Sequence, residues 1–88
     1  GRFIVSIEWN EGLYEATYVA NGIKMNDPRE MTMLIMQSRK LQGNPKDFRV
    51  IIRADKRVPY EFTQQAMAAV AEAEIANILF STTERKEE

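Results

Sequence analysis

The most constraining stretch of the chain is residues 48–60, where a β-branched strand leads into a polar turn and then into a helix. Its strand alternates between an apolar set and a more polar set, namely Phe48, Val50, Ile52 and Ala54 against Arg49, Ile51 and Arg53. This period of two predicts a strand with one buried and one wetter face. Pro59 is predicted to open the following helix at position N1, which needs no backbone N–H.

Two absences in the composition narrow the possible chemistry. The chain has 88 residues, with no cysteine and no histidine. A disulfide scaffold, a thiolate zinc site and the commonest general base are therefore excluded, which leaves carboxylate, lysine, tyrosine or hydroxyl mechanisms. We expect a single domain that is not an enzyme and needs no metal or cofactor. A domain of this size buries a modest core, so a homodimer would be unsurprising.

Charge is distributed unevenly, although the net charge is only −1. Residues 1–28 hold two Lys/Arg against four Asp/Glu, residues 29–57 hold eight against three, and residues 58–88 hold two against six. The basic middle suits an anionic partner, although the solvated faces of a helix and a strand give the same pattern. Because the pI is about 5.5 and no aromatic RNA-binding motif is present, we expect no nucleic-acid partner.

The first quarter of the chain predicts a hairpin or a three-stranded meander. Residues 3–9 alternate as a half-buried strand, residues 13–20 form a second strand and residues 23–25 a short third one. Turns are expected at residues 10–12 and at 21–22. The second strand is predicted to direct one set of side chains to a shared face: Tyr14, Ala16, Tyr18 and Ala20. The aromatic side chains Trp9, Tyr14 and Tyr18 are explained most simply as packing, with a ligand platform as the alternative.

The first helix has a well-marked start. Asp27 is placed to cap free backbone N–H groups, Pro28 to occupy N1, and Glu30 at N3 to complete a capping box. Helical spacing predicts a buried face made of Met31, Leu34, Ile35, Ser38 and Leu41. Residues 43–45, Gly-Asn-Pro, end the helix.

The second helix is predicted from Pro59 to about Ala73, and a last strand over residues 75–82. The apolar positions of this helix span more than one face, so two neighbours are expected: Phe62, Ala66, Met67, Ala69, Val70 and Ala73. Residues 83–88 are predicted to be a disordered, solvated tail.

The predicted element order is β-β-(β)-α-β-α-β, which is typical of an α+β (two-layer α/β) fold. Strands joined through a helix become parallel by right-handed crossover, whereas the opening hairpin is antiparallel. We therefore predict a mixed sheet with both helices packed on one face. The opposite face must be solvated or covered by a partner.

One dense polar cluster follows the central strand, at the edge where open α/β sheets usually place ligands. It consists of Asp55, Lys56, Arg57 and Tyr60. In an enzyme, Asp55 would be a general base and Arg53 an anion clamp; more simply, Asp55 accepts N–H bonds at the start of the next helix. Met33 and Met36 lie outside the buried face of the first helix, where methionines form an adaptable contact or ordinary surface. The candidate partner-binding residues are Arg49, Arg53, Asp55, Lys56, Arg57, Tyr60, Met33 and Met36.

The same central segment resembles the periplasmic domain of the ExbD/TolR family of biopolymer transport proteins. The resemblance covers residues 50–81 and is carried by the following positions: Arg53, Ala54, Asp55, Val58, Pro59, Tyr60, Met67, Ala73 and Ile75. The family usually has glycine after the position of Ala73, where this chain has Glu74. Either Glu74 adopts a positive φ, at a cost of about 1 kcal/mol, or the helix ends differently.

The resemblance implies an inner-membrane protein with one N-terminal transmembrane helix, which would precede Gly1, and a periplasmic domain that dimerises. With an ExbB/TolQ-type channel, such proteins form a motor driven by the proton motive force. The aspartate that carries protons in the family lies in the transmembrane helix, so no aspartate here is expected to have that role. The implied partner is a TonB- or TolA-like transducer, or peptidoglycan.

Three functions follow as alternatives. The first is a dimeric coupling module that contacts the transducer through an exposed strand edge or the uncovered sheet face. The second is a cell-wall-anchoring module that binds peptidoglycan through the basic middle of the chain. The third is a stand-alone cytoplasmic regulatory domain, expected if no hydrophobic segment precedes Gly1.

Overall fold

The computed structural model describes residues 1–83. In this part of the chain the elements are β1 (Arg2–Asn10), β2 (Glu15–Ala20), β3 (Ile23–Met25), α1 (Pro28–Leu41), β4 (Arg49–Asp55), α2 (Tyr60–Glu72) and β5 (Asn77–Thr83). The predicted element order and the α+β fold class are confirmed. Among these residues no helix has both the length and the apolar character required to cross a membrane.

The strands form one mixed sheet in the order β3-β2-β1-β4-β5. The two hairpin pairs, β1 with β2 and β2 with β3, are antiparallel. The two pairs that are joined through helices, β1 with β4 and β4 with β5, are parallel. Strands β3 and β5 are therefore the two edges of the sheet.

The core lies between one face of the sheet and the two helices. On the strands it contains Phe3, Val5, Ile7, Ala16, Tyr18, Ala20, Val50, Ile52 and Ala54, all of them buried. The Tyr18 hydroxyl donates to the Phe62 carbonyl of α2 at 3.2 Å, and the Thr32 hydroxyl of α1 donates to the Ala69 carbonyl of α2 at 2.8 Å. Helix α1 also contacts β2 and β3. Both helices thus cover the same face, as the sequence predicts.

Helix α1 begins as expected from its sequence. The Asp27 side chain accepts a hydrogen bond from the Arg29 N–H at 2.9 Å, and Pro28 is the first helical residue. The second half of the predicted capping box does not form, since within residues 1–83 Glu30 makes no side-chain bond to the Asp27 N–H. Instead, the Asp27 carboxylate is held by the Arg29 guanidinium, with a shortest distance of 2.9 Å.

The buried face of α1 is shorter than predicted. Met31 and Ile35 are buried and Leu34 and Ser38 are half-buried, but Leu41 is 81 % exposed. At ~100° per residue, Leu41 lies about 80° around the helix from Met31, at the edge of the buried stripe. It is also the last helical residue, so no further turn covers it.

The β1–β2 connection is longer than predicted. Leu13 and Tyr14 belong to the turn and not to the second strand, and they are 66 % and 60 % exposed. Tyr14 has φ +49° and its N–H donates to the Glu11 carbonyl at 3.3 Å. This left-handed residue turns the chain before β2 begins, so Tyr14 does not join the buried face that Ala16 and Tyr18 share. By contrast, the predicted turn at Asn21 and Gly22 is confirmed, with φ +52° and +76°.

The junction between β4 and α2 differs from the prediction in two details. Pro59 is the N-cap residue of α2, with φ −59° and ψ 143°, and Tyr60 takes position N1. Asp55 does not cap the helix, because its carboxylate accepts from the Arg57 N–H at 3.0 Å and its carbonyl accepts from the Val58 N–H at 2.9 Å. Asp55 therefore closes the turn that precedes the helix.

Helix α2 ends through an unusual residue. Glu74 has φ +59°, so of the two endings expected from the sequence the one with a positive φ is present. Ile75 is buried in the connection, and β5 begins at Asn77, two residues later than predicted. Thr83 belongs to β5 and not to the predicted tail, while residues 84–88 lie outside the described residues.

Candidate functional site

The sheet face that the helices leave uncovered carries the main candidate surface, which we call the open face. The strand registers place on it Arg2, Ile4, Ser6, Glu8, Thr17, Val19, Lys24, Arg49, Ile51, Arg53, Asn77, Leu79 and Ser81. All of these residues are half-buried or exposed. In the described part of the chain, the open face is thus accessible to solvent.

An apolar row crosses the open face between a row that holds two arginines and a row that holds one. Ile4 pairs with Ile51, and Ile51 pairs with Leu79, so the three side chains are neighbours on β1, β4 and β5. One basic row next to it is formed by Arg2 and Arg49. Arg53 lies in the row on the other side. An apolar stripe with guanidinium groups on both flanks matches an amphipathic segment with acidic residues.

Strand β5 gives this surface an open edge. It has seven residues, and no strand of the described chain pairs with its outer side. Leu79 on the open face is 50 % exposed, and Phe80, whose partner in β4 is the core residue Ile52, is 49 % exposed on the helix side. The edge therefore presents apolar side chains above and below a row of backbone hydrogen-bonding groups. Such an edge is a template for another strand.

In the predicted polar cluster after β4, two members bind each other, Asp55 and Arg57. The Asp55 carboxylate accepts from the Arg57 guanidinium, with Nη2 to Oδ2 at 2.9 Å and Nε to Oδ1 at 3.1 Å. The Asp55 side chain is only 18 % exposed. A carboxylate held by this fork and by a backbone N–H stabilises the turn. Asp55 thus accepts a backbone N–H as in the simpler interpretation, but in the turn before α2 and not at the helix start.

The other predicted site residues are distributed over opposite sides of the molecule. Arg49 and Arg53 are exposed on the open face, and Tyr60 is 69 % exposed at the first position of α2. Met33 and Met36, as predicted, are exposed on α1, at 75 % and 55 %. Because α1 covers the other face of the sheet, the two methionines and the two arginines do not belong to one site.

Met33 lies instead in a shallow groove between the helices. The groove has a volume of about 740 Å³ and is lined by Asp27, Pro28, Arg29, Thr32, Met33, Gln65, Ala68, Ala69 and Glu72. Alanine on α2 forms one wall, since small side chains leave space beside Thr32. The sequence identified Met33 as exposed but not this groove, because the groove depends on how α1 and α2 pack.

Sequence reasoning also missed the residues that define the open edge, Leu79 and Phe80. A signal was present, since two adjacent apolar residues on a strand must point to opposite faces and one of them cannot enter a one-sided core. Among residues 1–83 there is no group of histidine, cysteine or carboxylate side chains that could hold a metal ion.

Within residues 1–83 the fold and this surface define a class: a small two-layer α/β domain with one sheet face that the helices leave uncovered and a seven-residue edge strand. The family model described as biopolymer transport protein ExbD/TolR matches residues 5–85, and the chain belongs to this family. Members of the family are subunits of the complexes that energise biopolymer transport, and they are anchored in the inner membrane. The comparisons with curated proteins and with solved structures gave no match.

Proposed function

We propose that the chain is the periplasmic domain of a motor subunit driven by the proton motive force. In this function it couples an ExbB/TolQ-type channel to a TonB- or TolA-like transducer, and its own contribution is binding and not catalysis. Membership of the family supports this function. The observation within the molecule that carries it is the β5 edge, with half-exposed Leu79 and Phe80 on its two sides.

The β5 edge is the docking site in this proposal, and an extended segment of the transducer is its occupant. Backbone hydrogen bonds hold an added strand with little regard to its sequence, while side-chain contacts supply selectivity. Here Leu79 and Phe80 are placed to contact alternate side chains of the added strand, and Arg53, in the row beside Leu79, favours an acidic residue nearby. Edge pairing tolerates changes in the partner's sequence and is readily broken and remade as a motor moves.

Amide chemical shifts of the isotopically labelled 88-residue chain test this proposal. The probe is a set of overlapping peptides that covers the periplasmic part of a TonB- or TolA-like protein from the same genome. We expect one peptide to shift the amides of Asn77–Thr83 in a saturable way and to leave those of Ile23–Met25 unchanged. If no peptide shifts the β5 amides at millimolar concentration, the proposed docking edge is wrong.

We further propose a homodimer and a single N-terminal membrane helix, with this domain in the periplasm. Both follow from the family resemblance. Sedimentation velocity over a concentration series tests the dimer, and a monomer at every concentration would contradict it for the isolated chain.

The gene sequence ahead of Gly1 tests the membrane anchor, because a spanning helix needs about 20 mostly apolar residues. If no such segment were encoded, a stand-alone regulatory domain would become the better explanation.

A second candidate function, binding of peptidoglycan, is favoured by the basic rows of the open face. Arginine forms paired hydrogen bonds with carboxylates, which the peptides of the cell wall provide. In this second candidate function the cell-wall carboxylates are bound by Arg2, Arg49 and Arg53. Arg57 is left out of this set because its guanidinium is held by Asp55. Co-sedimentation with purified sacculi should be lost in an Arg49→Glu/Arg53→Glu variant and kept in the matched helix variant Lys40→Glu. Binding that survives the double reversal would exclude this function.

A further inference from the structure

Three aromatic rings meet at the end of the sheet where β1 turns into β2, and we call this group the aromatic corner. Trp9 and Tyr14 are in edge-to-face contact, with ring centroids 5.0 Å apart and planes at 81°. Phe62 of α2 completes the group, at 5.3 Å from Trp9 and 5.9 Å from Tyr14. The corner is therefore held together across two elements far apart in the sequence, and its geometry is fixed by packing.

Part of this apolar surface faces solvent. Tyr14 is 60 % exposed and its neighbour Leu13 is 66 % exposed, both in the turn between β1 and β2. Neither side chain belongs to the buried core. A turn that projects an aromatic and an aliphatic side chain outward provides a contact surface.

Carboxylates surround the corner. The Trp9 indole N–H donates to Glu11, and the Tyr14 hydroxyl donates to Glu61 at 3.2 Å. Partial burial, together with the hydrogen bond and the charge of Glu61 and the charge of Glu11, raises the pKa of Tyr14. Within residues 1–83, neither carboxylate forms an ion pair with a lysine or an arginine. The corner thus combines exposed aromatic surface with negative charge.

A small cleft continues from the corner. It has a volume of about 160 Å³ and is lined by Glu15, Ala16, Tyr18, Asn26, Phe62 and Gln65. Phe62 belongs to both the cleft and the corner, so the two surfaces are continuous. The volume corresponds to several water molecules, each of which takes about 30 Å³ in the liquid.

We propose that the aromatic corner binds a lysine- or arginine-containing extended peptide segment. One cationic side chain lies against the ring of Tyr14, with its charge between Glu11 and Glu61, and the segment continues along the cleft that Phe62 lines. The charge of the site selects this occupant, because an aromatic face and a carboxylate both attract a cation. An acidic or purely apolar segment would bring no positive charge to these carboxylates, which are hydrogen-bonded only to the Trp9 and Tyr14 side chains among the bonds described above.

This inference does not rest on the proposed function. The corner lies on β1, the turn between β1 and β2 and the start of α2, whereas the docking edge is β5, which is separated from β1 by β4. Loss of binding at one surface therefore leaves binding at the other intact, and amide shifts distinguish the two.

The fluorescence of Trp9 tests the proposal directly, because it is the only tryptophan of the chain. The probe is the capped peptide Lys-Gly-Lys-Gly-Lys, titrated into the full 88-residue chain, with Glu-Gly-Glu-Gly-Glu as the matched acidic control. We expect a saturable change in Trp9 emission with the basic peptide, weakened by added salt, and no saturable change with the acidic one.

Matched variants assign the effect to the corner. We expect Tyr14→Leu, which keeps an apolar side chain, to lower the affinity about threefold, and Glu11→Gln/Glu61→Gln to lower it about fivefold. Glu72→Gln, a charge removal elsewhere on the exposed surface of α2, should leave the affinity unchanged. Thermal unfolding shows whether each variant is folded.

Three results would overturn the proposal. The first is the absence of a saturable change with the basic peptide. The second is binding that neither the Tyr14 nor the glutamate variants weaken. The third is binding of a neutral chitin trisaccharide without binding of the basic peptide, which would assign the corner to a carbohydrate.

Discussion

The two edges of the sheet are built differently, and the difference indicates which one is available to a partner. Strand β3 has three residues, carries Lys24 and is contacted by α1, whereas β5 has seven residues and presents Leu79 and Phe80. Natural sheets protect their edges with short strands, lysines and covering elements. The β3 edge has all three protections. Within residues 1–83 the β5 edge lacks them, and this contrast is the reason why we propose β5 as the docking edge.

The approaches to the two edges differ as well. Asn21 and Gly22 lead into β3 with positive φ angles that suit both residue types, but Glu74 leads toward β5 with φ +59°. The chain therefore accepts backbone strain ahead of β5 and none ahead of β3. Since strain of this kind is often found near functional segments, its removal is a test of its role.

The largest expected effect is a loss of stability at the strand that holds β5 in the sheet. In the described chain β5 pairs only with β4. Ile52 is fully buried on β4 opposite Phe80, so Ile52→Ala should lower the free energy of unfolding by about 2–5 kcal/mol. The matched variant on the open face of the same strand, Ile51→Ala, should cost less than half as much, because Ile51 is only half-buried. Urea unfolding measures both. Equal losses would contradict the one-sided core.

A smaller effect is expected at the strained residue before β5. Replacing Glu74 by glycine should raise the free energy of unfolding by about 1 kcal/mol, because glycine adopts positive φ without the Cβ clash. Glu74→Ala keeps the clash and serves as the control. The opposite change before β3, Gly22→Ala, should destabilise the chain by about 1 kcal/mol, since Gly22 has φ +76°. If Glu74→Gly had no higher free energy of unfolding than Glu74→Ala, the positive φ at this residue would not lower the stability of the fold.

The smallest effect is a pH dependence next to the β3 edge, at the start of α1. The hydrogen bonds from the Arg29 side chain and N–H hold the pKa of the Asp27 carboxyl below its usual value. A carboxyl whose pKa is lower in the folded state stabilises the fold above its unfolded pKa of about 3.9, and this stabilisation is lost as the pH falls through the lowered value. The stability of Asp27→Asn should therefore decline less steeply below about pH 4. Unfolding curves at several pH values provide the measurement, and identical slopes would refute the assignment.

Much of the fold could be predicted because its signals are local. The alternation along β4, the Asp27–Pro28 helix start and the Asn21–Gly22 turn each depend on residues close in sequence, and each is confirmed. The predicted burial of Leu41 and the predicted strand position of Tyr14 were wrong because both residues lie at the boundary of an element, where the local pattern does not determine the side-chain position.

The candidate site could be predicted only in part. Period-two alternation correctly predicted that Arg49 and Arg53 share an exposed face, and helical spacing that Met33 and Met36 are exposed. The role of Leu79 and Phe80 depends on β5 being an edge strand, which is a property of the whole topology. The contact of Trp9 with Phe62 is likewise set by how α2 packs, and no local pattern contains it.

The most direct test of the central claim is a paired affinity measurement at the two edges. Leu79 and Ile23 are similarly exposed, at 50 % and 47 %, one on β5 and the other on β3. For a peptide of the TonB- or TolA-like transducer, Leu79→Lys should weaken binding about tenfold, because a lysine on an edge opposes strand addition, and Ile23→Lys should leave it unchanged. Equal weakening by both variants, or weakening by Ile23→Lys alone, would contradict the assignment of β5 as the docking edge.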